Sequence, residues 1–478
     1  MLNRIKTILL ERCQLVPELP ILAGISGGPD SLCLLDVLHR LGYQLVIAHL
    51  DHQLRPESAD EAMRVRQMAE EMGLSFVFKQ QDVKSFSKDQ GLSLEEGARL
   101  ARYVFLFNEA EKAKAQAVAV GHTADDQVET VLMHLLRGAG MSGLAGMSFR
   151  SLPNAWSEKI PLVRPLLSIW RESIWEYLNE HSLLPNLDAS NQDTRIYRNR
   201  LRHELIPYLE KYNPRFRQSL WRTADILRQD HEILLERVAA AWNAALRESG
   251  QGYLAFDYPI LVEQPLGIQR YVFRQAILHL RPDIRDFDFL AIDHAVAFLK
   301  DPSPHAQSDL IAGIKLMREA DCIWLAGWQV DLPGSRWPQV QTDQILQVQV
   351  PGQINLPENW RLSGEIIDCS PLTRSAALEN ADPFQAWLDL DRLETPLRVR
   401  SRKSGDRFQP LGMPGCSIKI SEFMINTKLP SRARRGWPLI LSGDTIAWLP
   451  GYRIAHPFCI TDQTTRMVIV KLEKKPST

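Results

Sequence analysis

No stretch of these 478 residues reaches the ~18 uninterrupted apolar positions that a membrane-spanning helix needs. The opening MLNRIKTILLERCQ carries charges where a secretory signal keeps an apolar run, so a cytoplasmic location without a membrane partner is expected. Cysteine is scarce and scattered. The six, at 13, 33, 322, 369, 416 and 459, form no C-x-x-C pair, which argues against a zinc ribbon or an iron–sulfur cluster and fits reduced thiols. Neither sign of charge is in excess: the net charge is −1, so a polyanion would have to be met by local patches rather than by the average field. Internal repeats and low-complexity tracts are missing as well. One further absence is local. The glycine-rich ILAGISGGPDS, residues 21–31, has no lysine, so it is not the Walker loop G-x-x-x-x-G-K-[ST].

What is present is a chain long enough for roughly three domains at ~150 residues each, with 45% hydrophobic residues to fill their cores. From Ile21 to about Ala145, runs such as ILAGIS, YQLVIAHLD, LSFVFKQ and QAVAVGH alternate with amphipathic stretches such as SLCLLDVLHRLG and SADEAMRVRQMAEEMG. Short strands separated by helices of ten or more residues are βαβ units, and the fold class expected is α/β, with a parallel, Rossmann-like sheet at the N-terminus. In such a sheet ligands sit beyond the carboxyl ends of the strands, where SGGPDS, HLDHQLRPES and GHTADDQVET all fall. Past Leu162 prolines punctuate helices, and residues from about Asn213 to Gly327 read mostly helical. From Trp328 the texture is β-prone pieces between Pro and Gly. The expected organisation is therefore 1–212 for the sheet domain, 213–327 for a helical domain, and 328–478 for a linker and small mixed or β-rich domain with its core at about 385–478.

The loop SGGPDS offers backbone and hydroxyl donors from Ser26, Gly27, Gly28 and Ser31 to a pyrophosphate, while Asp30 stands where an anion would repel it unless Mg²⁺ intervenes. On composition alone it is equally a tight turn with Asp30 and Ser31 capping the next helix. In GHTADDQVET, Asp126 and Glu129 lie three apart on the opening turns of a helix; Asp125, Asp126 and Glu129 would also suit the helix dipole alone. HLDH, with His49, Asp51 and His52, lacks a fourth nearby ligand for zinc. Arg99 and Arg102 share one helical face. Two basic patches stand out. Residues 195–222 hold eight Arg or Lys against Glu204 and Glu210, and residues 392–435 hold eleven against Glu394, Asp406 and Glu422, with Phe408 and Trp437 interleaved. Charge runs are mostly solvated faces, yet two of them in a near-neutral chain suggest a polyanion reaching more than one domain.

Ser-Gly-Gly-x-Asp-Ser after a buried strand resembles the motif of the PP-loop ATP pyrophosphatases, which split ATP between the α and β phosphates and leave an adenylated substrate. HLDHQLRPESADE, LEEGARLARYVFL, GHTADDQVETVLMHLLRGAGMSGLAGM, DASNQDTRIYRNRLRHELIPYLEKYNP and the tail RVRSRKSGDRFQPLGMPG…KISEF resemble the tRNA(Ile)-lysidine synthase family. The resemblance is nearly continuous over the N-terminal half, returns in the last hundred residues, and is slight from about Leu227 to Phe384. It implies ligation of lysine to C2 of the wobble cytidine in a minor isoleucine tRNA with a CAU anticodon, so that the base pairs with A instead of G. ATP and Mg²⁺ would be the cofactors, L-lysine and the tRNA the partners, and a homodimer is an expectation of the family. It further implies a nucleotide loop of Ser26, Gly27, Gly28, Pro29, Asp30 and Ser31, with Asp30 on Mg²⁺, and catalytic roles for Asp30, Arg102, His122, Asp126 and Glu129. A carboxylate pair there would hold Mg²⁺ or the cationic lysine. Contacts to tRNA would come from Arg200 and Arg202 in the first patch and from Arg402, Lys403, Arg407, Lys419, Arg432, Arg434 and Arg435 in the second. The family pattern is broken at Ile418, where many relatives carry a second lysine. The rival readings are a PP-loop tRNA thiolase, disfavoured by the cysteine spacing, and a tRNA-binding protein with an inactive nucleotide site.

Overall fold

The computed structural model describes residues 1–53, 58–186, 193–284, 289–301, 303, 306–334 and 337–475. Two compact units emerge, Met1–Arg237 and Val238–Thr478. The expected boundary at 212 falls inside the first, which also takes residues 213–237 of the expected helical segment; the second holds the rest.

The first unit opens with α1 (Leu2–Thr7) and then alternates as its apolar runs suggest: β1 (Ile21–Gly24), α2 (Pro29–Arg40), β2 (Leu45–Asp51), α3 (Ser58–Glu71), β3 (Ser75–Gln80), α4 (Val83–Asp89), α5 (Leu94–Lys112), β4 (Ala117–Val120) and α6 (Ala124–Leu136). After them come α7 (Met141–Leu144), β5 (Arg150–Ser151), β6 (Leu162–Val163), α8 (Arg171–Glu180), α9 (Tyr197–Arg200), α10 (Ile206–Glu210) and α11 (Phe216–Ala245), with a π-helical turn at Leu201–Leu205. The sheet runs β3-β2-β1-β4-β6-β5, parallel except for β5. Alternate residues of its central strands feed two separate cores. Ile21, Ala23, Ala117 and Ala119 pack with Ile174 and Leu178 of α8, whereas Leu22, Val118 and Val120 pack with Tyr103, Phe105 and Leu106 of α5. Both faces are thus covered, which is why these strands read as unbroken apolar runs. From β1 the sheet grows through β2 one way and through β4 the other, so the crevice between their carboxyl ends is the topological switch point. Gly24 and Val120 are neighbours there.

In the second unit β7 (Leu246–Gly250), β8 (Tyr253–Asp257), α12 (Tyr258–Val262), α13 (Leu266–Leu280), α14 (Phe289–Phe298), β9 (Gln307–Asp309), β10 (Ile314–Glu319) and β11 (Cys322–Gly327) build an antiparallel sheet in the order β7-β8-β11-β10-β9. Helices take up more of 213–327 than strands do, as expected, and the five short strands are the addition. CIWLAG, six consecutive buried residues, and the hairpin turn at Gly252, with φ +82, are short signals that helical periodicity does not separate from a buried helix segment. The last third is β-rich as expected, two further antiparallel sheets sharing one core around Leu362, Phe408, Trp437 and Trp448. Phe408 and Trp437 are only 2% and 3% exposed, so they fill that core rather than offer stacking platforms to RNA. Among the described residues no helix is long and apolar enough to cross a membrane.

Candidate active site

Three segments meet at the switch point. The first, between β1 and α2, is shaped by its own side chains: Ser31 Oγ accepts from the Ser26 backbone N–H at 3.2 Å and donates to the Gly28 carbonyl at 3.0 Å. Gly27 adopts φ +85, and a Cβ there would lie 2.5 Å from Asn186 Nδ2, so only glycine fits. Gly28 precedes Pro29, the first residue of α2, whose fixed φ and missing N–H suit that position. The second segment follows β4. A Cβ on its Gly121 would approach the Asp30 carbonyl oxygen to 2.9 Å, so the two loops touch through backbone. Thr123 then caps α6 in a reciprocal pair, its N–H and hydroxyl donating to Asp126 Oδ2 at 2.8 and 3.0 Å.

These loops, together with β2, α5 and the start of α9, wall a cavity of about 650 Å³ that Ser26, Asp30, Arg102, His122 and Asp126 all line. Burial pushes the Asp30 carboxyl up to about 6, with Arg171 opposing and Asp126 adding to the rise. For Asp126 burial acts upward too, but the Arg171 and Arg198 guanidinium groups and the Thr123 N–H outweigh it and hold the group below its ordinary value. Burial drives His122 down to about 3 despite Asp126, leaving a neutral imidazole. Buried polar atoms around this cavity that find no hydrogen-bond partner among the described residues include Asp30 Oδ1, His52 Nδ1, Arg102 Nε and His122 Nδ1. Nor does a carboxylate there pair with Arg102, whose guanidinium lies 5.2 Å from the Tyr103 ring, while Arg99 stacks on Tyr103 and faces away from this role. Unsatisfied buried groups are costly, and their convergence on one cavity marks a polar ligand site.

The remaining acids are spent on arginines. Glu129, 1% exposed, takes Arg202 in a two-point grip, Nε at 2.6 Å and Nη2 at 3.0 Å, and Arg198 Nε at 3.2 Å. Arg202 therefore points inward at a buried carboxylate, and both oxygens of Glu129 are engaged by arginines. Asp125 accepts the Arg171 backbone N–H at 2.8 Å and Arg217 Nη1 at 3.0 Å. Arg171, which sequence reasoning passed over, sets Nη2 3.4 Å from Asp30 Oδ2 and 3.5 Å from Asp126 Oδ1. Its one advance sign was a cation on the first turn of a helix, where the dipole disfavours it. At HLDH, His49 Nδ1 lies 2.8 Å from the Ile25 carbonyl, and Asp51 accepts from the Gln53 N–H and Gln80 Nε2, so the trio shapes the wall. Among the described residues no three His, Cys, Asp or Glu groups are placed to hold a metal by themselves.

The basic patches divide in the same way. Arg200 is exposed, beside the Tyr197 ring at 5.2 Å. In the second unit Arg402, Lys403, Lys419 and Arg435 are exposed, and no side-chain partner is found for them among the described residues. Arg407 is exposed too, held to Ser417 at 3.1 Å. By contrast Arg432 grips Glu319 at 2.6 Å through two nitrogens between the Trp324 and Trp337 rings, and Arg434 donates to the Leu429 carbonyl at 2.7 Å.

Comparison with known proteins matches residues 2–209 to the PP-loop domain and 397–470 to the TilS substrate C-terminal domain. A tRNA(Ile)-lysidine synthase from Dehalococcoides mccartyi is 35% identical, covering 94% of this chain and 94% of its own. The chain belongs to the tRNA(Ile)-lysidine synthase family. Further members from Geobacter sulfurreducens and Symbiobacterium thermophilum are 33% and 32% identical, covering 98% and 100% of this chain and 97% and 98% of theirs. Family alignment thus spans residues 227–384, where recognisable motifs were few. Asp30, Arg102, His122, Asp126, Glu129 and Arg171 all lie within the PP-loop match.

Proposed function

We propose that the protein joins L-lysine to C2 of the wobble cytidine of a minor isoleucine tRNA with a CAU anticodon, at the cost of ATP, releasing pyrophosphate and AMP. What supports the reading is the cavity at the switch point, where a lysine-free glycine loop faces the unpaired Arg102 guanidinium, in a chain whose full-length relatives bear this activity in their names.

ATP supplies an activated phosphorus that turns the C2 oxygen of cytosine, a poor leaving group, into a phosphate ester that departs readily. The residues present suit it. Backbone N–H groups of the Gly27–Gly28 turn and the N-terminus of α2 favour an anion, and Arg102 across the cavity offsets negative charge that grows at the transferred phosphate. Mg²⁺ would be held by Asp30, which lines the cavity beside the glycine turn, because that ion is usually bound by one or two carboxylates plus substrate phosphates. Neutral His122 lines the same cavity and takes or gives a hydrogen bond without adding charge. Asp126, held ionised, can hold the cationic lysine in the cavity by its charge, and the proton the amine sheds as the C–N bond forms goes to solvent or to the departing phosphate. An unpaired anticodon base costs little to swing out of its stack, which suits a recessed site. Arg200 in the first unit and Arg402, Lys403, Arg407, Lys419 and Arg435 in the second are the cations left exposed for RNA phosphates.

Pyrophosphate release measured with ATP, the CAU isoleucine tRNA and lysine tests the reading. AMP release, and pyrophosphate release beyond one equivalent per tRNA, are expected to require lysine. A thiolase would ignore lysine, and an inactive binder would release nothing.

A further inference from the structure

We infer that Arg171 is a positioning residue for the nucleotide: it holds the Asp30 carboxylate in one orientation at the cavity wall. The inference rests on the reading that this cavity takes ATP. A carboxylate on a short side chain is free to turn about its last bond, so its two oxygens are interchangeable unless something holds one. Here Arg171 Nη2 lies 3.4 Å from Asp30 Oδ2, while Oδ1 is buried without a hydrogen-bond partner, so this pairing is what fixes how the carboxylate is turned. The same nitrogen lies 3.5 Å from Asp126 Oδ1, while Asp126 Oδ2 is committed to the Thr123 cap. One guanidinium nitrogen thereby ties the loop acid to the helix acid and holds the two carboxylates in place.

The side chain is separable from the local architecture. The junction of α6 and α8 is made by backbone groups: the Arg171 N–H donates to Asp125 Oδ2 at 2.8 Å, and the Ala124 N–H donates to the Ile169 carbonyl at 3.0 Å. Neither bond needs a guanidinium. A cation on the first turn of α8 is opposed by the helix dipole, so packing alone gives no reason for arginine at this place. The two acids facing it do.

The test is equilibrium binding of Mg·ATP by titration calorimetry to the full-length protein, without tRNA or lysine, for Arg171→Met, Arg171→Gln, Arg171→Lys and Asp30→Asn. Both neutral variants are expected to bind about tenfold more weakly, and Arg171→Lys to recover most of the loss, since one ammonium can sit between the two carboxylates. In an Asp30→Asn background Arg171→Met should cost almost nothing further, because the residue acts through Asp30. Affinity unchanged in both neutral variants, or losses that simply add, would overturn the role. If the unaltered protein itself fails to bind ATP, the reading of the cavity falls instead. Circular dichroism identifies any variant that misfolds, and the remaining neutral variant and the lysine variant then decide.

Discussion

Replacing Glu129 by glutamine removes the one negative charge between two guanidinium groups. The carboxylate is 1% exposed and meets nitrogens of Arg202 and Arg198 at 2.6, 3.0 and 3.2 Å, with Asp126 as a further acid 3.8 Å from Arg202. Breaking a buried ion pair by deleting one partner costs about 3–5 kcal/mol, chiefly through the charge left behind. Arg202 and Arg198 keep 21% and 29% of their side-chain surface, enough for water to recover part of that cost, which places the loss near the lower end, about 3 kcal/mol. At a urea slope of ~3 kcal/mol per M, the transition of the first unit should move down by about 1 M. Arg202→Met should cost a similar amount, and the double variant clearly less than the sum, because the two act as a pair. The assay is urea unfolding followed by far-UV circular dichroism, with the lysine KM measured alongside. An unchanged midpoint together with a raised lysine KM would refute the reasoning and return Glu129 to the role of amine holder.

Asp30→Ala should abolish pyrophosphate release while tRNA affinity, measured by filter binding, stays within a few fold; equal loss of both would remove Asp30 from the nucleotide site. Burial raises the Asp30 pKa to about 6, so the ionised form is lost as pH falls through 6, and kcat/KM for ATP should show an acid limb centred there; a limb near 4, the ordinary carboxylate value, would contradict this. The same raised value means the native state holds this proton more tightly than the unfolded chain does, so the ionised group costs stability as pH rises from about 4 to about 6. Charge reversal at Arg402, Lys403 and Arg435 should weaken tRNA binding and reduce its salt slope by about one per lost phosphate contact. Arg432→Ala should instead lower the stability of the second unit, since its charge is spent on Glu319; an unchanged melting profile with a reduced salt slope would reverse that assignment.

Local chemistry explains what was legible. The nucleotide loop could be read because its requirements are written in adjacent residues: a glycine at φ +85, a proline at the first helical position and hydroxyls that bond within five residues. Arg171 could not, since the acid it holds is 141 positions away and a single cation on a helix looks like any surface charge. Basic runs raised the same difficulty from the other side. Arg198, Arg202, Arg217 and Arg432 look identical to Arg200 and Arg435 in the sequence, and only folding shows that the former face buried acids. Phe408 and Trp437 lie among cations along the chain yet point into a core. Strands β7 to β11 were missed because each is six residues or fewer, too short for a period to be read.

The most direct measurement is an experimental structure with a non-hydrolysable ATP analogue and Mg²⁺. The account expects the triphosphate along Gly27, Gly28 and Ser31 at the carboxyl ends of β1 and β4, with Arg102 on its far side and Asp30 on the metal. A triphosphate bound anywhere else, with that turn closed under side chains, would contradict it.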